Sequence, residues 1–133
     1  MFKQIKLVKI RHSSRNNINQ DIQWLSASLG MFNKRDREKS CYRIFIELLK
    51  HAKDNQPLSS DQIARATRLN RSTVIHHLTK LVDSGLVINE KGMYLLREPT
   101  LTKTIESITR DIEYFLSDVK YLSNKIDKKL ELR

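Results

Sequence analysis

Eight apolar residues near the end of the chain recur at alternating intervals of four and three: Leu101, Ile105, Ile108, Ile112, Phe115, Val119, Leu122 and Ile126. An apolar period of 3.5 marks a heptad a/d seam on an α-helix, sustained here over more than three heptads. Glu98-Pro99 punctuates the chain just before it, and Thr100 or Thr102 can start the helix. About thirty helical residues span roughly 45 Å, too long to bury against one small domain. Left in water, the seam would expose a large apolar patch. The pattern predicts a C-terminal coiled-coil dimerisation helix over residues 100–133, paired with that of a second copy. The alternative is that its first half packs on the chain's own domain and only its end is free. The spacing does not distinguish parallel from antiparallel pairing.

Upstream, Leu58 to Arg97 reads as helix, turn, helix, strand, turn, strand. Ser59 with Gln62 three residues later is the S-x-x-Q form of a capping box. Ile63, Ala64 and Ala66 give the short helix an apolar face, and Thr67-Arg68-Leu69 breaks it. Asn70 is a good N-cap for a second helix through Val74, Leu78, Leu81 and Val82, which Ser84-Gly85 stops. Leu86-Val87-Ile88 is a short apolar run with two β-branched residues, Asn89-Glu90-Lys91-Gly92 a turn signal, and Met93-Tyr94-Leu95-Leu96 the returning strand. Two helices followed by a small hairpin predict a mainly α, α+β winged helix-turn-helix over residues 18–99.

The wording of this stretch, Asn70-Arg71-Ser72-Thr73-Val74, then His77-Leu78, Leu81 and Ser84-Gly85-Leu86-Val87, resembles winged-helix regulators of the ArsR and MarR type, with an archaeal look. The resemblance covers about a third of the chain closely. It implies double-stranded DNA as partner and transcription regulation as role, and it implies that Ser72, Thr73, Ile75 and His76 face DNA. Ile75 stands where many relatives carry a small polar residue, so no base preference carries over. Many ArsR-type repressors sense metals through a thiolate pair on a helix. This chain has one cysteine, Cys41, and its histidines (12, 51, 76 and 77) form no obvious i, i+4 ligand pair. No metal site and no cofactor is expected.

The faces of the second helix point the same way. With Val74, Leu78, Leu81 and Val82 inward and His77 at the border as a half-buried structural histidine, the outward set is Arg71, Ser72, Thr73, Ile75, His76, Thr79 and Lys80. In a helix-turn-helix this set enters the major groove, N-terminal residues nearest the base edges. Arg71 suits guanine O6 and N7, Ile75 a thymine methyl, His76 a purine edge. Lys80, and Lys91 at the wing tip, suit phosphates, although Glu90 beside Lys91 argues against a strongly gripping wing.

A formal net charge of +10 over 133 residues agrees with a polyanionic partner, nucleic acid before membrane. No apolar run approaches a membrane span and no signal peptide is evident, so a cytoplasmic protein is expected. Three glycines leave no Gly-rich phosphate loop, and no nucleophile or carboxylate constellation emerges from spacing, so no enzymatic activity is expected.

Residues 1–17 form a basic arm or strand: Lys3, Lys6, Lys9, Arg11 and Arg15 interleave with Phe2, Ile5, Leu7, Val8 and Ile10. The apolar content favours an edge strand, paired with the wing or a second subunit; a DNA-backbone role and a frayed tail both remain open. Residues 18–31 predict a short helix, with Asn19 as its cap, Gly30 as its end and Trp24 as a core or subunit-interface anchor. Residues 34–53 predict a stronger helix with Cys41, Ile44, Phe45, Leu48, Leu49 and Ala52 as its core stripe. Tyr42 and Ile46 lie beside that stripe.

These readings combine into a homodimeric, sequence-specific DNA-binding transcriptional regulator, with the helix at about 71–83 in the major groove. Two rivals keep the fold: a sequence-tolerant, chromatin-like architectural DNA-binding protein, and a protein-interaction winged helix. Operator, effector and sign of regulation are not legible.

Overall fold

The computed structural model describes residues 2–11, 17–32 and 38–132. The described elements run α1 (Ile18–Ser28), α2 (Ser40–Ala52), β1 (Leu58–Ser59), α3 (Ser60–Thr67), α4 (Arg71–Asp83), β2 (Val87–Glu90), β3 (Met93–Leu96) and α5 (Leu101–Leu130). This is a winged helix-turn-helix carrying one long helix.

Local chemistry sets most of the boundaries. The capping box at α3 is complete: Gln62 N donates to Ser59 Oγ at 3.1 Å, and Ser59 N donates to Gln62 Oε1 at 2.8 Å. Asn70 caps α4 and Thr100 caps α5, each side chain accepting from the backbone N–H three residues on. Two starts differ from the sequence reading. α1 is capped by Asn17, whose Oδ1 accepts from Asn19 N, so Asn19 lies inside the helix. α2 begins at Ser40; Lys34, Arg35, Asp36 and Arg37 lie outside the described residues.

The sheet is antiparallel, in the order β1-β3-β2. Glu90 pairs with Met93, so the wing turns on Lys91 and Gly92 alone, tighter than the four-residue signal suggested. Both residues have positive φ (54° and 83°), the geometry of a type I′ hairpin. Asn89 and Glu90 belong to the strand.

One core lies under the helix-turn-helix. Ile44, Phe45 and Leu48 of α2 meet Ile63 of α3, Val74, Leu78 and Leu81 of α4, Leu86 and Val87 at the first wing strand, Leu96 of β3 and Ile108 of α5. Phe45 and Ile44 have no exposed surface, and truncating a side chain so placed costs about 3–5 kcal/mol for Phe. Arg43 ties α2 to the turn of the motif by donating to the Thr67 carbonyl.

The heptad seam divides in two. Ile108 is buried, and Leu101, Ile105 and Ile112 are partly buried against the same core. Phe115, Val119, Leu122 and Ile126 are exposed, by 54, 43, 54 and 53 %. The first half thus serves the chain's own domain. Beyond Ile112 the helix projects with its apolar stripe in solvent.

The basic arm does not pair with the wing. It lies extended along α1 and the end of α4: Lys3 N and Gln4 N donate to the Asp83 carbonyl (2.6 and 3.0 Å), and Val8 N donates to the Ser28 carbonyl (2.8 Å). Trp24 fixes its far end, Nε1 donating to the Ile10 carbonyl at 3.0 Å. Phe2 sets its ring edge-on to Phe115, centroids 6.0 Å apart. Gly30, at φ 73°, lets the arm pass: a Cβ there would stand 2.8 Å from Lys6 Cβ. His12 and Arg15 lie outside the described residues. Tyr42 stacks at a tilt on Phe32, centroids 5.3 Å apart.

Candidate nucleic-acid interface

Helix α4 separates its side chains sharply. Val74, Leu78 and Leu81 are buried, Val82 is partly buried, and His77 is buried at the border, deeper than its edge position suggested. Arg71, Ser72, Ile75, His76, Thr79 and Lys80 are exposed; Thr73 is half-buried. A solvent-facing isoleucine, 40 % exposed between Arg71 and Thr79, gives this strip an apolar spot amid donors.

The N-terminal end of the strip is held by short-range bonds. Asn70 Oδ1 accepts from Thr73 N and from Ser72 Oγ, each at 2.8 Å, so one atom caps the helix and orients a hydroxyl. Arg71 Nε lies 3.5 Å from Asp61 Oδ1 at the start of α3, with both side chains well exposed. An ion pair in that setting is worth about 0–1 kcal/mol and exchanges readily. Thr79 donates its hydroxyl to the Ile75 carbonyl at 2.9 Å, which leaves its oxygen as an acceptor. His76 sets its ring against His77, centroids 5.2 Å apart.

Further cations surround the strip. Arg65 and Arg68 are exposed on α3 and on the turn after it, Arg68 in the left-handed conformation that breaks the helix. Neither belonged to the set chosen from the sequence. Their signal was present as charges on a short helix whose apolar face was already assigned. Lys91 is exposed at the wing tip. Lys3, Lys6, Lys9 and Arg11 are exposed on the arm, and Lys6 lines one cleft with Lys80 of α4. The arm's positive charge therefore adjoins the end of the exposed strip.

Residues 46–89 match the family model of the bacterial regulatory proteins of the arsR family. This stretch is an ArsR-type helix-turn-helix. No curated protein and no solved structure matches the chain. The matched segment runs from the second half of α2 to β2, about a third of the chain, and supports a DNA-binding regulator. The arm, α1 and α5 fall outside it. Among the described residues, no group of three or more His, Cys, Asp and Glu side chains comes together as a metal-holding cluster, and no helix is long and apolar enough to cross a membrane.

Proposed function

We propose that the chain is a homodimeric, sequence-specific regulator that reads double-stranded DNA with α4 in the major groove. The observation that carries this reading is the exposed strip from Arg71 to Lys80 on an ArsR-type helix-turn-helix, its N-terminus capped and its polar groups turned outward. Arg71, Ser72, Thr73, Ile75, His76 and Thr79 supply base contacts, and Lys80 and Lys91 supply phosphate contacts. Ile75 favours a thymine methyl in the centre of the half-site. The uncovered end of the α5 seam supports pairing of two copies, which holds two such helices on one duplex.

Sites selected from random duplexes test the reading. Arg71→Ala and His76→Ala should each weaken the best site by about 1–3 kcal/mol and change random-DNA affinity much less. Equal losses on both would favour the architectural reading, which the net charge of +10 and the lysines of the arm support. Absence of DNA binding at low salt would favour a protein-interaction winged helix.

A further inference from the structure

We infer that two copies pair antiparallel through the free end of α5, each C-terminus reaching the other copy's α1–α5 groove. The inference rests on the dimeric reading above and gives it an orientation.

Heptad positions follow from the spacing. Phe115 and Leu122 are d positions, Val119 and Ile126 are a positions. Asp118 and Lys125 then occupy successive g positions; Leu116, Ser123 and Leu130 occupy successive e positions. All of these side chains are exposed. An antiparallel coil pairs a with d and brings g to face g and e to face e, whereas a parallel coil brings g to face e.

Antiparallel pairing matches the seam to itself and pairs the two charges. Phe115 meets the partner's Ile126 and Val119 meets the partner's Leu122, so the exposed half of the seam is complementary to itself. In that register Asp118 faces the partner's Lys125, and symmetry repeats the pair. Parallel pairing instead sets Asp118 against the partner's Ser123 and Lys125 against the partner's Leu130. It also brings Lys129, the next d position, onto the partner's Lys129 in the core of the seam, where like charges repel.

The groove between α1 and α5 supplies a second, separate argument. Leu25, Leu101 and Ile105 give a largely apolar floor to an open depression of about 510 Å³, which Thr102, Glu106, Thr109 and Arg110 complete. Leu130 is 64 % exposed near the far end of the helix. The antiparallel register lays the partner's Leu130 beside Thr109, at the mouth of that groove. Parallel pairing leaves the groove in water and gives Leu130 only the partner's Lys125 as a neighbour.

The orientation also sets the distance between the two domains. Ile108, the buried anchor of α5, would be about 25 residues from its counterpart along the coil axis, roughly 38 Å. One turn of DNA is about 34–36 Å. The antiparallel dimer therefore suits half-sites on one face of a duplex that runs along the coil.

A nitroxide on Lys103→Cys tests the orientation in the full chain. Lys103 is exposed in the first turn of α5, and wild-type protein, whose Cys41 is buried, serves as the labelling blank. Antiparallel pairing places the two labels about 35 residues apart along the axis, roughly 50 Å, and parallel pairing places them within about 30 Å. A short distance in a dimer overturns the antiparallel inference and leaves the dimeric reading intact. A wild-type monomer at micromolar concentration in sedimentation overturns both. Charge exchange gives an independent check. Asp118→Lys and Lys125→Asp should each raise the dimer dissociation constant several-fold, and the double exchange should return it close to wild type. Singles without effect, or a double exchange as weak as the singles, overturn the inference.

Discussion

Arg97, just past the last wing strand, donates from Nη1 to Asp111 Oδ2 at 2.6 Å, across the joint between the wing and the long helix. Both side chains are largely shielded, and this bond is the first cause of a carboxyl held below its ordinary range. Gly85 sits against the same joint: a Cβ there would stand 3.3 Å from Arg97 Nη1 and 3.6 Å from Ile108. One guanidinium thus ties the wing to α5, close beside the helix-turn-helix exit.

Asp111→Asn should lower stability by about 1.5–3 kcal/mol, in the range of a hydrogen bond to a charged group. The pH dependence has a definite sign. The folded-state pKa is depressed, so this contribution is complete above about pH 4, the ordinary carboxylate value, and is lost as pH falls through the folded value. Thermal melts of wild type and variant should therefore converge on acidification below that pH. Parallel curves would assign the loss to packing.

Asp61 holds Arg71 at the start of the exposed strip, and its charge opposes an approaching phosphate. Asp61→Ala should tighten DNA binding several-fold. The same change removes an acidic residue from the first turn of α3, which costs about 0.3–1 kcal/mol of helix-dipole interaction. Affinity and melting temperature should move in opposite directions. Weaker DNA binding would mean that Asp61 positions Arg71 for contact.

The two halves of the seam should respond differently to the same substitution. Ile112 packs against the core of its own domain, so Ile112→Glu should lower the melting temperature as well as disturb association. Leu122 lies in the exposed half, and Leu122→Glu should leave the fold intact while costing several kcal/mol of association. Circular dichroism melts and sedimentation separate these effects. A Leu122→Glu dimer as tight as wild type would move the interface elsewhere.

Deleting the arm would damage the fold, because its backbone is bonded to Asp83 and Ser28 and its end is held by Trp24. Neutralising Lys3, Lys6 and Lys9 to Gln keeps those bonds. Each lysine that contacts a phosphate should then reduce the slope of log K against log salt by about 0.9, with little change in sequence preference. An unchanged slope would make the arm purely structural.

The motif was legible because its signals are local. Ser59 with Gln62, Asn70 and Thr100 each satisfy an N–H three residues away, and no distant contact is needed to place them. Asn17 and Asn19 show the limit, since both are good caps and two residues of register separate them. The outward strip of α4 followed from periodicity alone. The partner of each seam residue did not: a period of 3.5 is the same whether a stripe meets its own core, as at Ile108, or solvent, as at Leu122. The arm eluded the pattern for a related reason. Its alternation of lysines with apolar residues suits a strand, but its bonds go to single carbonyls at Asp83 and Ser28 rather than to a ladder.

The indole N–H of Trp24 points at the Ile10 carbonyl, and the chain has no other tryptophan. Its fluorescence is therefore a native optical gauge of the basic segment. Lifting that segment would expose a half-buried ring to water and shift its emission to longer wavelength, so seating and release can be timed in unlabelled protein while DNA is added.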